Sequence, residues 1–220
     1  MNTWLDSTVN NYIHYFGKTT SPVVYDVGSR DGHDGVELAE RISNTQNFWK
    51  EAQVILFECN PPQIEVIKDN YPWATLITEA ISDKSGQTVD FMQIHGDKNM
   101  VGSSTLNTKR DDEWIQNTSI VKVKTKRLDE VIKELGHDEI DIMKVDIEGY
   151  TFEALQSLGK YLRSVKVYHL ETEIEGYARN KTNVDVAIYM QDNGYRMVAN
   201  DSEWAPNILD QIWVRICQTL

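Results

Sequence analysis

Apolar positions along the chain change their period several times, and each change predicts an element. Trp4, Val9, Tyr12, Ile13 and Phe16 recur at helical spacing and predict an amphipathic helix ended near Gly17. Pro22-Val-Val-Tyr-Asp-Val27 is a short apolar run, read as a strand, that leads directly into Gly28-Ser-Arg-Asp-Gly32. A helical pattern follows at Val36, Leu38, Ala39 and Ile42. The alternation repeats with a strand at Ala52–Phe57 and a helix at Pro61–Asn70, whose prolines suit a first turn. Strands are predicted at roughly 73–81, 87–94 and 119–126; the last two alternate polar and apolar residues and read as antiparallel or peripheral. Beyond them lie a helix at Leu128–Leu135, a strand at Ile140–Val145, a helix at Tyr150–Leu158 and a strand at Val165–Leu170. A helix at about 183–193 and two strands near 195–199 and 210–217 complete the pattern.

Strands alternating with helices imply right-handed crossovers, and so a Rossmann-like α/β fold. Its sheet is expected to be mostly parallel and seven-stranded, with helices on both faces and a C-terminal antiparallel hairpin. No repeat, low-complexity tract or linker interrupts the chain. Residues 1–20 are read as an N-terminal helical extension and 21–220 as one domain.

Charge narrows the function. The formal net charge is −12, from 34 acidic against 22 basic residues, which disfavours a nucleic-acid partner. Lys122, Lys124 and Lys126 alternate with Val121, Val123 and Thr125, and read as the solvated face of an edge strand. Cys59 and Cys217 are too few for a disulfide framework and lack zinc spacing. With no signal-like N-terminus and no apolar run near the ~20 residues a bilayer requires, a cytoplasmic protein without a membrane span is expected. The glycosylation sequons at Asn117 and Asn180 carry little weight in that setting.

The first strand's glycine turn is the leading candidate for chemistry. In an open parallel sheet, ligands sit beyond the strands' carboxyl ends where strand order reverses. Asp26, Gly28, Ser29, Arg30 and Gly32 lie at such a point. Glu58 ends the next strand, thirty residues after Gly28, where a carboxylate accepts both hydrogen bonds of a ribose diol. The turn lacks the middle glycine of GxGxxG, so a pyrophosphate would be cradled less closely than in a typical nicotinamide site. A ligand with ribose and adenine but no phosphate fits better: S-adenosylmethionine, whose sulfonium and amino groups suit Asp26, Asp31 and Glu58. Glu79-Ala80-Ile-Ser-Asp83 follows the third strand, where adenine is expected.

Val123-Lys-Thr-Lys-Arg-Leu-Asp-Glu-Val131, then Ile140-Asp-Ile-Met-Lys-Val-Asp-Ile-Glu-Gly-Tyr-Thr-Phe-Glu-Ala-Leu155, resembles the FkbM family of S-adenosylmethionine-dependent methyltransferases. Asp26-Val-Gly28 with Gly32, Phe57-Glu58 with Pro61, Glu79–Asp83, and Gly102-Ser-Ser-Thr-Leu106 fall in the family's order, so the resemblance covers about residues 22–175. The chain departs from the family's Glu-Pro at Glu58-Cys-Asn-Pro61, and from Glu-Gly-Ala-Glu at Glu148-Gly-Tyr-Thr151, which sets a bulky Tyr150 beside the site. The resemblance implies a Rossmann-like methyltransferase fold and O-methylation of a hydroxyl on a sugar, glycan or glycoconjugate, or on another small molecule.

A hydroxyl acceptor has to lose its proton, with general-base help worth ~10²–10⁴-fold or a metal ion lowering its pKa. Asp146 and Glu148 stand two apart after one strand, and Glu171 and Glu173 after the next. If their backbones stay extended, the four carboxylates converge, as a general-base site or as a site for Mg or Mn, with Asp146 and Glu171 the leading pair. Asp146 also falls beside the expected cofactor. Lys144 would pair with Asp146 or Glu148. His95 is the other candidate base, and the Gly102–Leu106 loop is placed to cover the acceptor. Trp114, Tyr150, Tyr177 and Trp204 are candidates to stack on a sugar. A nicotinamide-dependent oxidoreductase and a non-catalytic nucleotide-binding module are the alternatives; the missing glycines weigh against the first and the carboxylates against the second.

Overall fold

The computed structural model describes residues 3–96, 104–106, 117–174, 181–201 and 208–216. Helix α1 (Thr3–Phe16) leads to β1 (Val23–Val27), α2 (His33–Ile42), the one-turn α3 (Phe48–Glu51), β2 (Gln53–Phe57), α4 (Pro61–Asn70) and β3 (Thr75–Ile77). Then come β4 (Ala80–Ile81), β5 (Thr88–Ile94), β6 (Thr118–Lys126), α5 (Leu128–Leu135), β7 (Ile140–Val145) and α6 (Thr151–Ser157). A 3-10 segment at Gly159–Ser164, β8 (Val165–Glu173), α7 (Asn183–Asp192), β9 (Tyr195–Asp201) and β10 (Ile208–Arg215) complete the order.

Seven strands form the main sheet in the order β3-β2-β1-β7-β8-β10-β9. The first five run parallel, and β10 pairs antiparallel with both β8 and β9, so the closing hairpin inserts its second strand next to β8. Strand order reverses at β1, between β2 and β7, which opens a crevice at their carboxyl ends.

Period two within the strands divides the core into two layers. Val24, Leu56, Ile142, Val167 and Ile212 face α1 and α2, whose Leu5, Val9, Tyr12, Leu38 and Ile42 complete that layer. Tyr25, Phe57, Met143, Tyr168 and Trp213 face α5, α6 and α7 through Val131, Leu155 and Met190. Helices therefore cover both faces, and β1, β2 and β7 are buried on both of their sides, including the charged Asp26, Asp141 and Lys144. Polar bonds also tie α1 down. Tyr12 Oη donates to Asp141 at 2.7 Å, and Thr8 Oγ1 lies 2.9 Å from His169 Nδ1.

The strand expected at 73–81 is two strands. β3 pairs with β2, whereas β4 joins a separate three-stranded sheet, β4-β6-β5. β5 and β6 are antiparallel and lie outside the main sheet, as their alternation predicts. However, β6 is the central strand of its sheet and not an edge. Two of its lysines meet acids on neighbouring elements, Lys122 with Asp90 at 2.5 Å and Lys126 with Glu134 at 2.6 Å. The unexpected α3 is anchored by the buried Phe48. Gly102, Ser103, Trp114, Tyr177, Asn180, Trp204 and Cys217 lie outside the described residues. No helix among those described is long and apolar enough to cross a membrane.

Candidate functional site

The turn after β1 is built by close contact with its two neighbours. Phe57 O accepts from both Gly28 N and Ser29 N at 3.0 Å, and Asp146 N donates to Val27 O at 2.9 Å. Gly28 adopts φ +86°, and a Cβ placed there would lie 1.8 Å from the Asp146 carbonyl oxygen. Only glycine permits both that dihedral and that approach. Ser29 faces inward: its hydroxyl donates to Asp26 O at 2.5 Å and accepts from Phe57 N at 2.9 Å.

Beside this turn, Glu58 is held by two backbone donors. Oε2 accepts from Arg30 N at 2.9 Å and Oε1 from Asn60 N at 2.7 Å. The two bonds fix the carboxylate plane and leave outward lone pairs for a ligand. Burial pushes this carboxyl up to about 7, against the lowering effect of those N–H donors. It stands in the wall of a cavity, open to solvent, that reaches from Gly28 and Asp146 to Ala80, Phe91 and Leu106.

A buried charge cluster underlies the other end. Lys144, 6% exposed, sets Nζ 3.0 Å from Asp146, 3.5 Å from Asp34 and 3.7 Å from Asp26. Burial alone would lower the Lys144 pKa, but the three carboxylates outweigh it and hold the ammonium well above its ordinary value. Burial pushes Asp26 up to about 6, with Lys144 opposing. At Asp146 the balance reverses, and the Lys144 charge keeps the carboxyl below its usual range despite burial.

Asp146, Glu148 and Glu171 each bring one carboxylate oxygen within 4.8 Å of the others. Burial, then the charges of Asp146, Glu148 and Asp210, push Glu171 well above the carboxylate range. Extended spacing does not produce this cluster. Glu148 adopts φ +44° and Gly149 φ +89°, so the chain curls back after β7. Glu173 does not join it. It is buried and lines a second pocket with Lys181, Thr182 and Glu171, so that of the leading pair Asp146 lines the cavity beside Gly28 and Glu171 does not.

Of the residues expected to meet a cofactor, Gly28, Arg30, Glu58, Glu79, Ala80 and Asp146 line the cavity. Asp26, Ser29 and Gly32 do not. Asp26 sits on the face of β1 that packs on α2, where its Oδ2 accepts from Gly35 N at 3.0 Å; Ser29 is committed to backbone; Gly32 is the N-cap of α2. Asp31 pairs with Arg30 at 3.6 Å and is also outside the lining. His95 follows β5 as an exposed residue hydrogen-bonded to Ser119 Oγ at 2.8 Å, away from the cavity wall. Ser104, Thr105 and Leu106 do cover the cavity, pinned by the Met92–Thr105 bridge and by Thr105 Oγ1 donating to Glu148 O at 2.9 Å. Tyr150 is 9% exposed and does not line the cavity.

Sequence reasoning missed Asp34, Asn60 and His169. His169 is 3% exposed, with Nε2 at 3.1 Å from Asp210. Only Asp34 carried a sequence signal, as an acid in the first turn of the helix after the glycine turn.

Comparison with known proteins completes the picture. Over 138 residues the chain is 29% identical to the 2-O-methyltransferase NoeI of Sinorhizobium fredii, covering 58% of this chain and 54% of that protein. The chain thus spans about half the length of that relative. It is 21% identical over 226 residues to the methyltransferase sdnD of Sordaria araneosa, covering 89% of this chain and 82% of that protein. Among solved structures, magnesium protoporphyrin IX methyltransferase from Synechocystis PCC 6803 with bound SAM aligns at TM-score 0.51 and 14% identity, over 97% of this chain and 79% of that one. A NADB-Rossmann superfamily protein from Streptococcus agalactiae aligns at TM-score 0.51 and 12% identity, over 100% and 71%. These structures share the fold. The sequence model of the Methyltransferase FkbM domain matches residues 26–197, from the last residues of β1 into β9, and the chain therefore belongs to the FkbM methyltransferase family.

Proposed function

We propose that the chain binds S-adenosylmethionine in the cavity beside Gly28 and Glu58 and methylates a hydroxyl of a sugar, glycan or glycoconjugate, within a catalytic unit of residues 21–220. Glu58 carries the cofactor half of this reading: a carboxylate oriented by two backbone donors at the wall of the cavity suits a vicinal diol. The similarity to a protein named as a 2-O-methyltransferase supports the acceptor half.

Bound there, the cofactor supplies a methyl group on a sulfonium, and aligning it with the acceptor oxygen provides much of the acceleration. Gly28 admits the ligand close to the backbone, Glu58 holds the ribose, and Glu79 with Ala80 faces the base. Asp146, kept ionised by Lys144, is the carboxylate placed to take the hydroxyl proton, and Glu171 beside it, already protonated, hydrogen-bonds to it. The three carboxylates are hard oxygen donors of the kind Mg or Mn takes. Yet Asp146 is already neutralised by Lys144, and burial drives Glu171 towards its protonated form, so these residues suit a proton-sharing pair better than a divalent cation.

Transfer of labelled methyl to a panel of mono- and oligosaccharides, run with chelator and with magnesium or manganese, tests the reaction. Turnover on a saccharide that survives the chelator is the expected result; no transfer to any of them sinks the acceptor reading. Calorimetry tests the cofactor site. Glu58→Ala removes acceptors for two ribose hydroxyls, each worth roughly 1.5 kcal/mol or more to a charged group, and should weaken S-adenosylmethionine about 10²-fold. Unchanged affinity would remove Glu58 from the site.

The same carboxyl makes binding pH-dependent. With its value near 7 in the fold, the ionised acceptor is about ten times more populated at pH 8 than at pH 6, and affinity should fall about tenfold between them. Stability of the free protein moves the other way at this group. A carboxyl raised above its unfolded value of about 4.3 favours the fold most when protonated, so its contribution is full below that pH and lost as pH rises to about 7. Flat affinity from pH 6 to 8 contradicts this.

A further inference from the structure

One end of the cavity is explained neither by the glycine turn nor by the carboxylates. Beyond the glycine turn and Glu58, the lining brings together the apolar Ile81, Phe91 and Leu106 and the polar Asn60, Gln63, Glu79, Ser104 and Thr105. Asn60 is 2% exposed, and its Oδ1 accepts from Gln93 Nε2 at 2.6 Å. Gln93, 7% exposed and outside the lining, accepts through Oε1 from the Ser119 hydroxyl at 3.1 Å. His95 Nε2 lies 2.8 Å from the same Ser119 oxygen.

Each link orients the next. Ser119 has one proton, committed to Gln93, so its contact with His95 is one in which the imidazole N–H donates. Gln93 uses its carbonyl on Ser119 and turns its amino group to Asn60. Asn60 meets that group with its own carbonyl and carries its NH₂ on the cavity side, 3.4 Å from Ser104 Oγ. Ser104 Oγ accepts from Ile94 N at 3.0 Å, which holds this end in place. The chain of bonds thus delivers a donor to a cavity in whose lining Glu79 offers an acceptor.

We propose that Asn60, aimed by Gln93, identifies the cofactor's base as adenine, its amide N–H donating to ring nitrogen N1 while Glu79 accepts from the exocyclic amino group. This rests on the S-adenosylmethionine reading and deepens it to a named edge of the base. Hypoxanthine inverts both groups, with a proton on N1 and a carbonyl in place of the amine. A site built to pair a polar edge rejects an analogue that leaves its buried groups unmatched.

Calorimetry with S-adenosylhomocysteine and S-inosylhomocysteine on the whole chain is the test. The wild type should prefer the adenosyl ligand by roughly a hundredfold or more. Gln93→Glu replaces the amino group facing Asn60 by an acceptor, so the Asn60 amide turns and presents its carbonyl to the cavity. The preference should then shrink at least about tenfold, although residue 93 touches neither ligand. Asn60→Asp, which places an acceptor at the reading position itself, should shift the ratio the same way, and it serves if Gln93→Glu fails to fold. A purely structural role for Gln93 would weaken both ligands equally and leave the ratio unchanged. Equal binding of the two ligands by the wild type, or an unchanged ratio in the folded variants, overturns the inference while leaving the cofactor reading intact. Binding of neither ligand by the wild type overturns both.

Discussion

Replacing Lys144 by methionine should destabilise the protein by about 3–5 kcal/mol at pH 8, the cost typical of removing one partner from a buried ion pair. The side chain is 8% exposed and stands within 3.7 Å of three carboxylates, of which Asp26 is fully buried and Asp146 lies at the cavity wall. Methionine preserves much of the volume and apolar stem, so the loss reads the charge and not a cavity. Without the ammonium, the fully buried Asp26 can remain in place only by taking up a proton. Its folded value, already raised to about 6, moves further above the unfolded one of about 3.9, so the deficit is small in acid and grows as pH increases. Urea unfolding at pH 5.5 and pH 8 measures this. Equal stability to the wild type at both values would mean that Lys144 is not the counter-ion of this cluster. Adding Asp26→Asn to the variant should restore part of the loss, because it removes one of the stranded charges.

Gly28→Ala is the second large effect expected. Its φ of +86° strains any side chain, at a cost of order 1–3 kcal/mol, and the new Cβ would sit 1.8 Å from the Asp146 carbonyl oxygen. That oxygen belongs to backbone held by the bond from Asp146 N to Val27 O, so it cannot swing aside as a flexible side chain would. The turns after β1 and β7 must separate, at the place where the ligand and Asp146 have to meet. A combined loss of about 3–5 kcal/mol is expected, divided between unfolding free energy and S-adenosylmethionine affinity. Gly86→Ala supplies the control, since Gly86 has φ +73° but nothing within 4 Å of the added carbon. It should cost only the strain, roughly 1 kcal/mol, and leave binding unchanged. If the two variants behave alike by calorimetry and denaturation, the close approach at Gly28 has no role.

These residues differ in how visible they were from the chain alone. Gly28 and Glu58 are local signals, a glycine leaving one strand and a carboxylate ending the next, and parallel pairing of β1 with β2 brings them together. Asp26 carried a misleading signal. Its position next to the turn suggested a ligand contact, but period two assigns it, with Val24, to the side covered by α2. Lys144 was legible as a partner of Asp146 two residues away, whereas Asp34 and Asp26 reach it from α2 and β1 through tertiary packing. Glu148 was placed correctly for the wrong reason, because its left-handed backbone is a property of the turn and not of strand spacing. The bonds from Asn60 through Gln93 to Ser119 join three segments and have no sequence period at all.

The position of β10 bears on how the sheet is assembled during synthesis. Among the described residues, β9 has no sheet partner except β10, the strand that leaves the ribosome after it. Until β10 inserts, β8 presents an unpaired edge and β9 has nothing to join. A nascent chain that stops before residue 208 would therefore expose a strand edge open to other chains, and completion of the sheet waits on one late insertion.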